Sequence, residues 1–201
     1  MKTRSGTRDD LRLDPAKLKF QSLQAGNWQD FEQLMGAKGG CGGCWCMFFR
    51  LPASDFKRNK FEGNRKMMKQ IVHDGAPAGL IASLHGEPVG WMAMAPREHY
   101  VKIEKSRALK RIDEKPVWSI PCFYIKKEFR RKGLSRLMIA AAIEFARKNN
   151  VIALEAYPSI PYSQQAPGPF LWTGVLSAFI ENGFKLVQTN GKTRAMVRID
   201  C

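Results

Sequence analysis

The residues "FYIKKEFRRKGLSRLMIAAAIEFA", 123 to 146, constrain the fold more than any other stretch of this chain. Phe123, Tyr124 and Ile125 form an apolar triplet that reads as a strand. Lys126, Lys127, Arg130, Arg131 and Lys132 follow, and then Gly133. After it Leu134, Leu137, Met138, Ala141, Ala142 and Phe145 fall on one helical face. A strand that turns into a helix leaves the first helical N–H groups without partners, and the helix dipole adds partial positive charge there. Such an end is an anion site, with phosphate its usual occupant. Gly133 lacks a Cβ, so a ligand can approach its backbone closely. Ser135 leaves the first turn uncrowded, and the surrounding cations add charge-assisted bonds and draw the anion in. The loop has neither the GxxxxGK[ST] of a triphosphate-binding loop nor the GxGxxG of a dinucleotide site.

The rest of the chain alternates between strand and helix signals. "KLKFQSLQ" (17–24) reads as a strand. "NWQDFEQLMG" (27–36) reads as a helix with Asn27 at its N-cap and Gly36 past its end. A glycine-rich loop follows, and a basic amphipathic helix is expected from Asn64 to His73. "AGLIASLHGEPVGWMAMAP" (78–96) is a hairpin turned at Gly86 and Pro88, and 97–115 is a charged connection with helical potential. "VWSIPCFYI" (117–125) is a strand in which Pro121 marks a bulge or an edge. "VIALEAYP" (151–158) is a buried strand, "YSQQAPGP" (162–169) a loop, and 173–184 a short helix with Thr173 at its N-cap. Asn190-Gly191 turns a closing hairpin over 185–199. This order predicts a single α/β domain over 11–201, a mixed sheet flanked by helices, behind a mobile basic tail at 1–10.

Thirty-three Lys and Arg against eighteen Asp and Glu give a formal charge of +15, which favours anionic partners without choosing among them. No apolar run approaches the roughly 20 residues that span a bilayer, and no apolar stretch follows the basic N-terminus. We therefore expect a cytoplasmic chain with no membrane partner. The five cysteines, three of them in "CGGCWC" (Cys41, Cys44, Cys46), then read as reduced thiols. With Cys122 they offer four soft ligands, but structural zinc usually takes two such knuckles and only one is present, so no metal is expected.

Arg130-Arg131-Lys132-Gly133-Leu134-Ser135 resembles the R/Q-x-x-G-x-G/A signature of the GNAT acetyltransferase superfamily, with Ser135 where that family prefers Gly or Ala. The preceding hairpin with Val89-Gly90 and the later Gly183-Phe184 fit its arrangement. "GCWCM", "WSIPCFYI", "LEAYP" and "ENGF", in that order, resemble a bacterial group within it. The resemblance implies a mostly antiparallel sheet with a splayed strand pair at the acyl-CoA site. It also implies acetyl-CoA as co-substrate and an N-acetyltransferase acting on an amine acceptor. The loop residues Arg130, Arg131, Lys132, Gly133, Leu134, Ser135 and Arg136 would hold the pyrophosphate. Phe123, Tyr124 and Ile125 would pair with the pantetheine as an added strand does.

The same resemblance suggests catalytic roles. A backbone donor to the acyl oxygen would come from 123–125, with Ile125 N–H the first choice. Glu155 is the candidate base, its strand placed beside the splay and its pKa raised by apolar neighbours; pairing with Arg or Lys is the competing account. Relatives often carry a Tyr where this chain has Phe179, so Tyr157, Ser177, Tyr124 or water would have to supply a proton to the thiolate. The acceptor side is expected from 36–70 and 157–175. A nucleic-acid-binding module is the rival class and an acyl-CoA-sensing domain a third; oligomeric state is left between monomer and homodimer. No helix-turn-helix, zinc-finger or RNP pattern supports the rival.

Overall fold

A computed structural model describes residues 13–161 and 172–201. The tail expected at 1–10 and the loop expected at 162–169 lie outside the described residues. Seven strands form one sheet: β1 (Leu18–Ser22), β2 (Gly79–Leu84), β3 (Glu87–Pro96), β4 (Trp118–Ile125), β5 (Ala153–Ala156), β6 (Lys185–Asn190) and β7 (Arg194–Asp200). Their spatial order is β1-β2-β3-β4-β5-β7-β6. Every neighbouring pair is antiparallel except β4 with β5. That exception follows from the connection: helix α5 (Leu134–Lys148) crosses over between them, and such a crossover returns the chain in the same direction. The mixed, mostly antiparallel sheet is the class the sequence predicts.

The parallel pair is short. Trp118, Ser119 and Ile120 face Leu154, Glu155 and Ala156; beyond them β4 runs on beside β3 to Ile125, while β5 ends. Pro121 stands at this parting, where it has no N–H to offer a neighbour. Opposite it the β3–β4 register shifts between Ala93 and Ala95. Ile120 and Pro121 therefore stand against Met94 alone, which is a bulge on β4. The extra residue resets the alternation of side chains. Ile120 and Phe123 both enter the core under α5, and Cys122 and Tyr124 pack against the opposite one.

On the first face α5 buries Leu134, Met138, Ala142 and Ala146, with Ile139 and Ile143 beside them. This stripe is rotated from the expected one. Leu137, Ala141 and Phe145 are only half-buried, because the sheet lies under the row that contains the isoleucines. On the second face α1 (Trp28–Met35) and α3 (Glu62–His73) pack with the glycine-rich turn over Trp91, whose ring lies 4.7 Å from that of Phe31. The basic region divides into α2 (Ala53–Arg58) and α3, so α3 starts two residues earlier than predicted. The break falls at Phe61, which takes φ +64°. The connection after β3 holds one short helix, α4 (Val101–Glu104). The last helix, α6 (Leu176–Ile180), is capped at Val175 rather than Thr173; the Thr173 hydroxyl instead accepts from Arg194 at 2.7 Å. Among the described residues no helix is long and apolar enough to cross a membrane.

Candidate active site

Gly133 is the N-cap of α5 and takes φ +82°, a conformation that costs an L-residue about 1–2 kcal/mol. A Cβ there would meet nothing within 4 Å, so the space before the helix is open. Arg136 and Leu137 donate to the Gly133 carbonyl at 3.0 and 3.3 Å. Among the described residues none of the five N–H groups at 131–135 has a hydrogen-bond partner. These donors lie at the positive end of a fifteen-residue helix. The cations around them differ in what they do. Lys126 pairs with Glu87 at 2.6 Å and Arg136 with Glu181 at 3.0 Å. Arg130 folds back and donates to the Ile125 carbonyl at 2.8 Å, and Lys132 lies 5.9 Å from the Phe129 ring centre. Lys127 and Arg131 have no acidic partner among the described residues.

The edge of β4 carries further donors. Lys126 N–H donates to the Val89 carbonyl at 3.1 Å, so in this antiparallel ladder Tyr124 also points its amide at β3. The amides of Phe123 and Ile125 then point away, into the parting. Phe123 N–H is engaged at 2.6 Å by the carbonyl of Trp172. Ile125 N–H has no partner among the described residues. The Tyr124 amide is thus excluded from the edge, and its ring lies on the second face, close to Gly40.

Glu155 is fully buried, but its surroundings are not the apolar ones expected. One carboxylate oxygen accepts from Arg97 and from the Tyr157 hydroxyl (2.7 Å), the other from Arg198 (2.9 Å). Arg97 also donates to Glu104 (2.6 Å) and to the Leu109 carbonyl, and Arg198 to Asp113 (2.7 Å). Two guanidiniums need a counter-charge when removed from water, and this carboxylate supplies it. Tyr157 is buried beside it and shares a 2.8 Å hydrogen bond with Ser119. Burial, then the charge of Glu155, pushes the phenol well above its usual range, which makes it a poor proton donor. Ser177 is exposed on α6, outside this group. Phe179 is core, 6.0 Å from the Phe123 ring.

Arg97, Arg198, Ser119 and Trp172 escape the sequence reading. An arginine at the end of an apolar strand looks like any surface arginine, and only the register Ser119↔Glu155↔Arg198 aligns two of these residues with Glu155 across the sheet. The cysteines are all free. Among the described residues no group of three or more His, Cys, Asp or Glu is placed to hold a metal. Cys46 accepts a hydrogen bond from Trp91 Nε1 at 3.1 Å, and the Cys122 thiol donates to the Phe123 carbonyl at 3.8 Å. Contact with the Cys122 thiol, with the bond from Trp91, holds Cys46 below the usual thiol range, while the same contact and burial push Cys122 up. The glycine-rich turn is thereby tied to β3 and β4. A separate open cleft of about 630 Å³ lies between α1 and α3, lined by Glu32, Trp45, Phe61 and Arg65. It is not at the parting of β4 and β5.

The family model of the GNAT acetyltransferases matches residues 45–165. No curated protein matches the chain by sequence. Among solved structures, an acetyltransferase of the GNAT family from Listeria monocytogenes is 12% identical with a TM-score of 0.54, covering 92% of this chain and 95% of its own. An N-acetyltransferase from Staphylococcus aureus is 11% identical with a TM-score of 0.52, covering 91% and 98%. The PaiA N-acetyltransferase from Thermoplasma acidophilum, solved with coenzyme A, is 14% identical with a TM-score of 0.50, covering 92% and 99%. At these identities the likeness is one of fold.

Proposed function

The chain belongs to the GNAT acetyltransferase family, and from that premise we propose that it moves the acetyl group of acetyl-CoA to a primary amine, by direct attack in a ternary complex. One observation carries the reading: five successive main-chain donors, 131–135, have no partner among the described residues at the start of α5, in front of open space. A pyrophosphate supplies the acceptors they lack, and Lys127 and Arg131 supply charge that no carboxylate among the described residues neutralises. Coenzyme A is the ligand with which the PaiA enzyme was solved.

In this reading residues 130–136 grip the pyrophosphate. The pantetheine runs along the free edge of β4, and Ile125 N–H donates to the thioester oxygen. The neutral amine attacks the carbonyl carbon, a C–N bond forms, and negative charge collects on the oxygen before the C–S bond breaks. A preorganised amide aimed at that oxygen is the kind of donor whose removal costs about 10²–10³ in turnover. The amine's proton goes to water. Glu155, held by two arginines, braces the floor of the parting through Tyr157 and Ser119 and is not needed as the base. The unpaired cysteines suit a reducing cytoplasm.

Calorimetric titration of acetyl-CoA into the wild type and Gly133→Asp tests the reading. Asp at this position strains the turn and sets a negative charge where phosphate is to lie. We expect the affinity of the variant to fall by more than about 100-fold, some 2.7 kcal/mol. Retained affinity would place the coenzyme elsewhere. Release of free CoA thiol with a panel of primary amines, and not without amine, tests transfer itself.

A further inference from the structure

We propose that the aromatic cluster of Phe48, Phe56 and Trp172 seats the alkylammonium head of the acceptor, a place that the protein's own Lys102 occupies in this structure. The proposal rests on the acetyltransferase reading and names its second substrate: a primary amine at the end of a flexible, unbranched aliphatic chain.

Phe48 is the hub of the cluster. Its ring lies 5.1 Å from Phe49, 5.4 Å from Phe56 and 5.4 Å from Trp172, each at close to a right angle. All four rings are only half-buried, so the cluster meets solvent. Lys102 Nζ lies 3.7 Å from the centre of the Phe48 ring and 4.9 Å from that of Phe56, inside the range where a ring face attracts a cation. Lys102 has no carboxylate partner among the described residues, so aromatic faces rather than an acid hold this ammonium. It reaches them from α4, whose start is fastened to the cluster by the Lys102 N–H bond to the Phe49 carbonyl at 3.0 Å.

The cluster is joined to the acyl side of the molecule. Trp172 offers its ring to Phe48 and its carbonyl to Phe123 N–H, on the β4 edge that opens into the parting. A head group seated on Phe48 is therefore two contacts from the strand that would carry the thioester. The chemistry of the seat suits the reaction. Ring faces hold the charged head in place, while burial there draws the Lys102 ammonium down from its ordinary range, towards the neutral form. An acceptor that arrives charged and must lose a proton before attack meets the same conditions. Lys102 then acts as a placeholder that the acceptor displaces.

Tetramethylammonium, which cannot be acetylated, is the probe, with binding followed by saturation-transfer NMR. Lys102→Ala vacates the seat and should bind the probe about two- to thirtyfold more tightly than the wild type, the range such contacts give. Adding Phe48→Leu to that variant should remove the gain, and Phe56→Leu serves if the first does not fold. With 1,5-diaminopentane as acceptor, Lys102→Ala should lower KM. Equal probe affinity in wild type and Lys102→Ala, or a gain that survives loss of the Phe48 ring, overturns the proposal. Acetyl-CoA titration of the same proteins separates the two readings: normal coenzyme affinity with no probe effect removes the seat and leaves the acetyltransferase standing.

Discussion

The two halves of β4 treat their polar groups in opposite ways. Its first half, beside β5, contributes Ser119 to a buried group in which Tyr157, Arg97 and Arg198 all donate to Glu155. Its second half, past the bulge at Pro121, runs into a loop, and among the described residues Ile125 N–H and five amides of that loop have no partner. The first region is dense in charged side chains and the second works through main chain. A buried charge that has found its partners is committed to the fold, since separating the pair would strand a charge in a poorly solvated interior. Donors at an open helix end lose little when exposed to water and gain when a phosphate arrives. On the proposed function, the first half serves stability and the second binding.

The largest effect should come from the saturated half. Glu155→Gln keeps the shape but removes the charge Arg97 and Arg198 share, leaving each only its more exposed acidic partner, Glu104 or Asp113; breaking a buried pair costs about 3–5 kcal/mol. Urea unfolding should show a loss of that order, with the pH dependence of turnover unchanged in whatever folded enzyme remains. Wild-type stability combined with loss of one limb of the pH–rate profile would make Glu155 the base after all, and the contrast would fail.

Ile125→Pro probes the other half. Because the Ile125 amide points away from β3, proline removes the donor and spares the ladder. Turnover should fall by about 10²–10³ while coenzyme affinity, which the 131–135 amides carry, changes little. A variant with normal turnover would move the oxyanion donor to Phe123, and would require Trp172 to release that amide.

The fold was readable because its signals are local: Asn190-Gly191 at a hairpin, Gly133 at a helix start, Pro121 at a bulge. The proposed phosphate loop rests on the same kind of signal, since Arg130 to Arg136 are contiguous and the reading draws mainly on their main chain. Glu155 was located correctly on its strand, but its partners come from positions 97 and 198, joined to it only by sheet register. Apolar neighbours in sequence, Leu154 and Ala156, gave no hint of two guanidiniums across the sheet. Thr173 likewise looked like a cap because Arg194, which takes its hydroxyl, lies on another strand. Lys102 and Phe48 are 54 positions apart, and nothing in either segment announces their contact.

The smallest effect concerns Tyr157, which completes the buried group without carrying charge. Tyr157→Phe removes hydrogen bonds to Glu155 and Ser119 and should cost about 1–2 kcal/mol at neutral pH. Its sharper signature is alkaline. The folded chain holds the phenolic proton more tightly than the unfolded chain, where it leaves near a pKa of about 10. The stability this gives is whole below that value and declines as pH rises toward the higher folded one, because the unfolded state then sheds protons that the native state keeps. Urea midpoints taken from about pH 8 to 11 should therefore fall less steeply for Tyr157→Phe than for the wild type. Tyr100 and the thiols of Cys44 and Cys122, also shifted upward, contribute to the slope that remains. Identical slopes would mean that Tyr157 ionises freely in the folded protein, and that the first half of β4 is as open as the second.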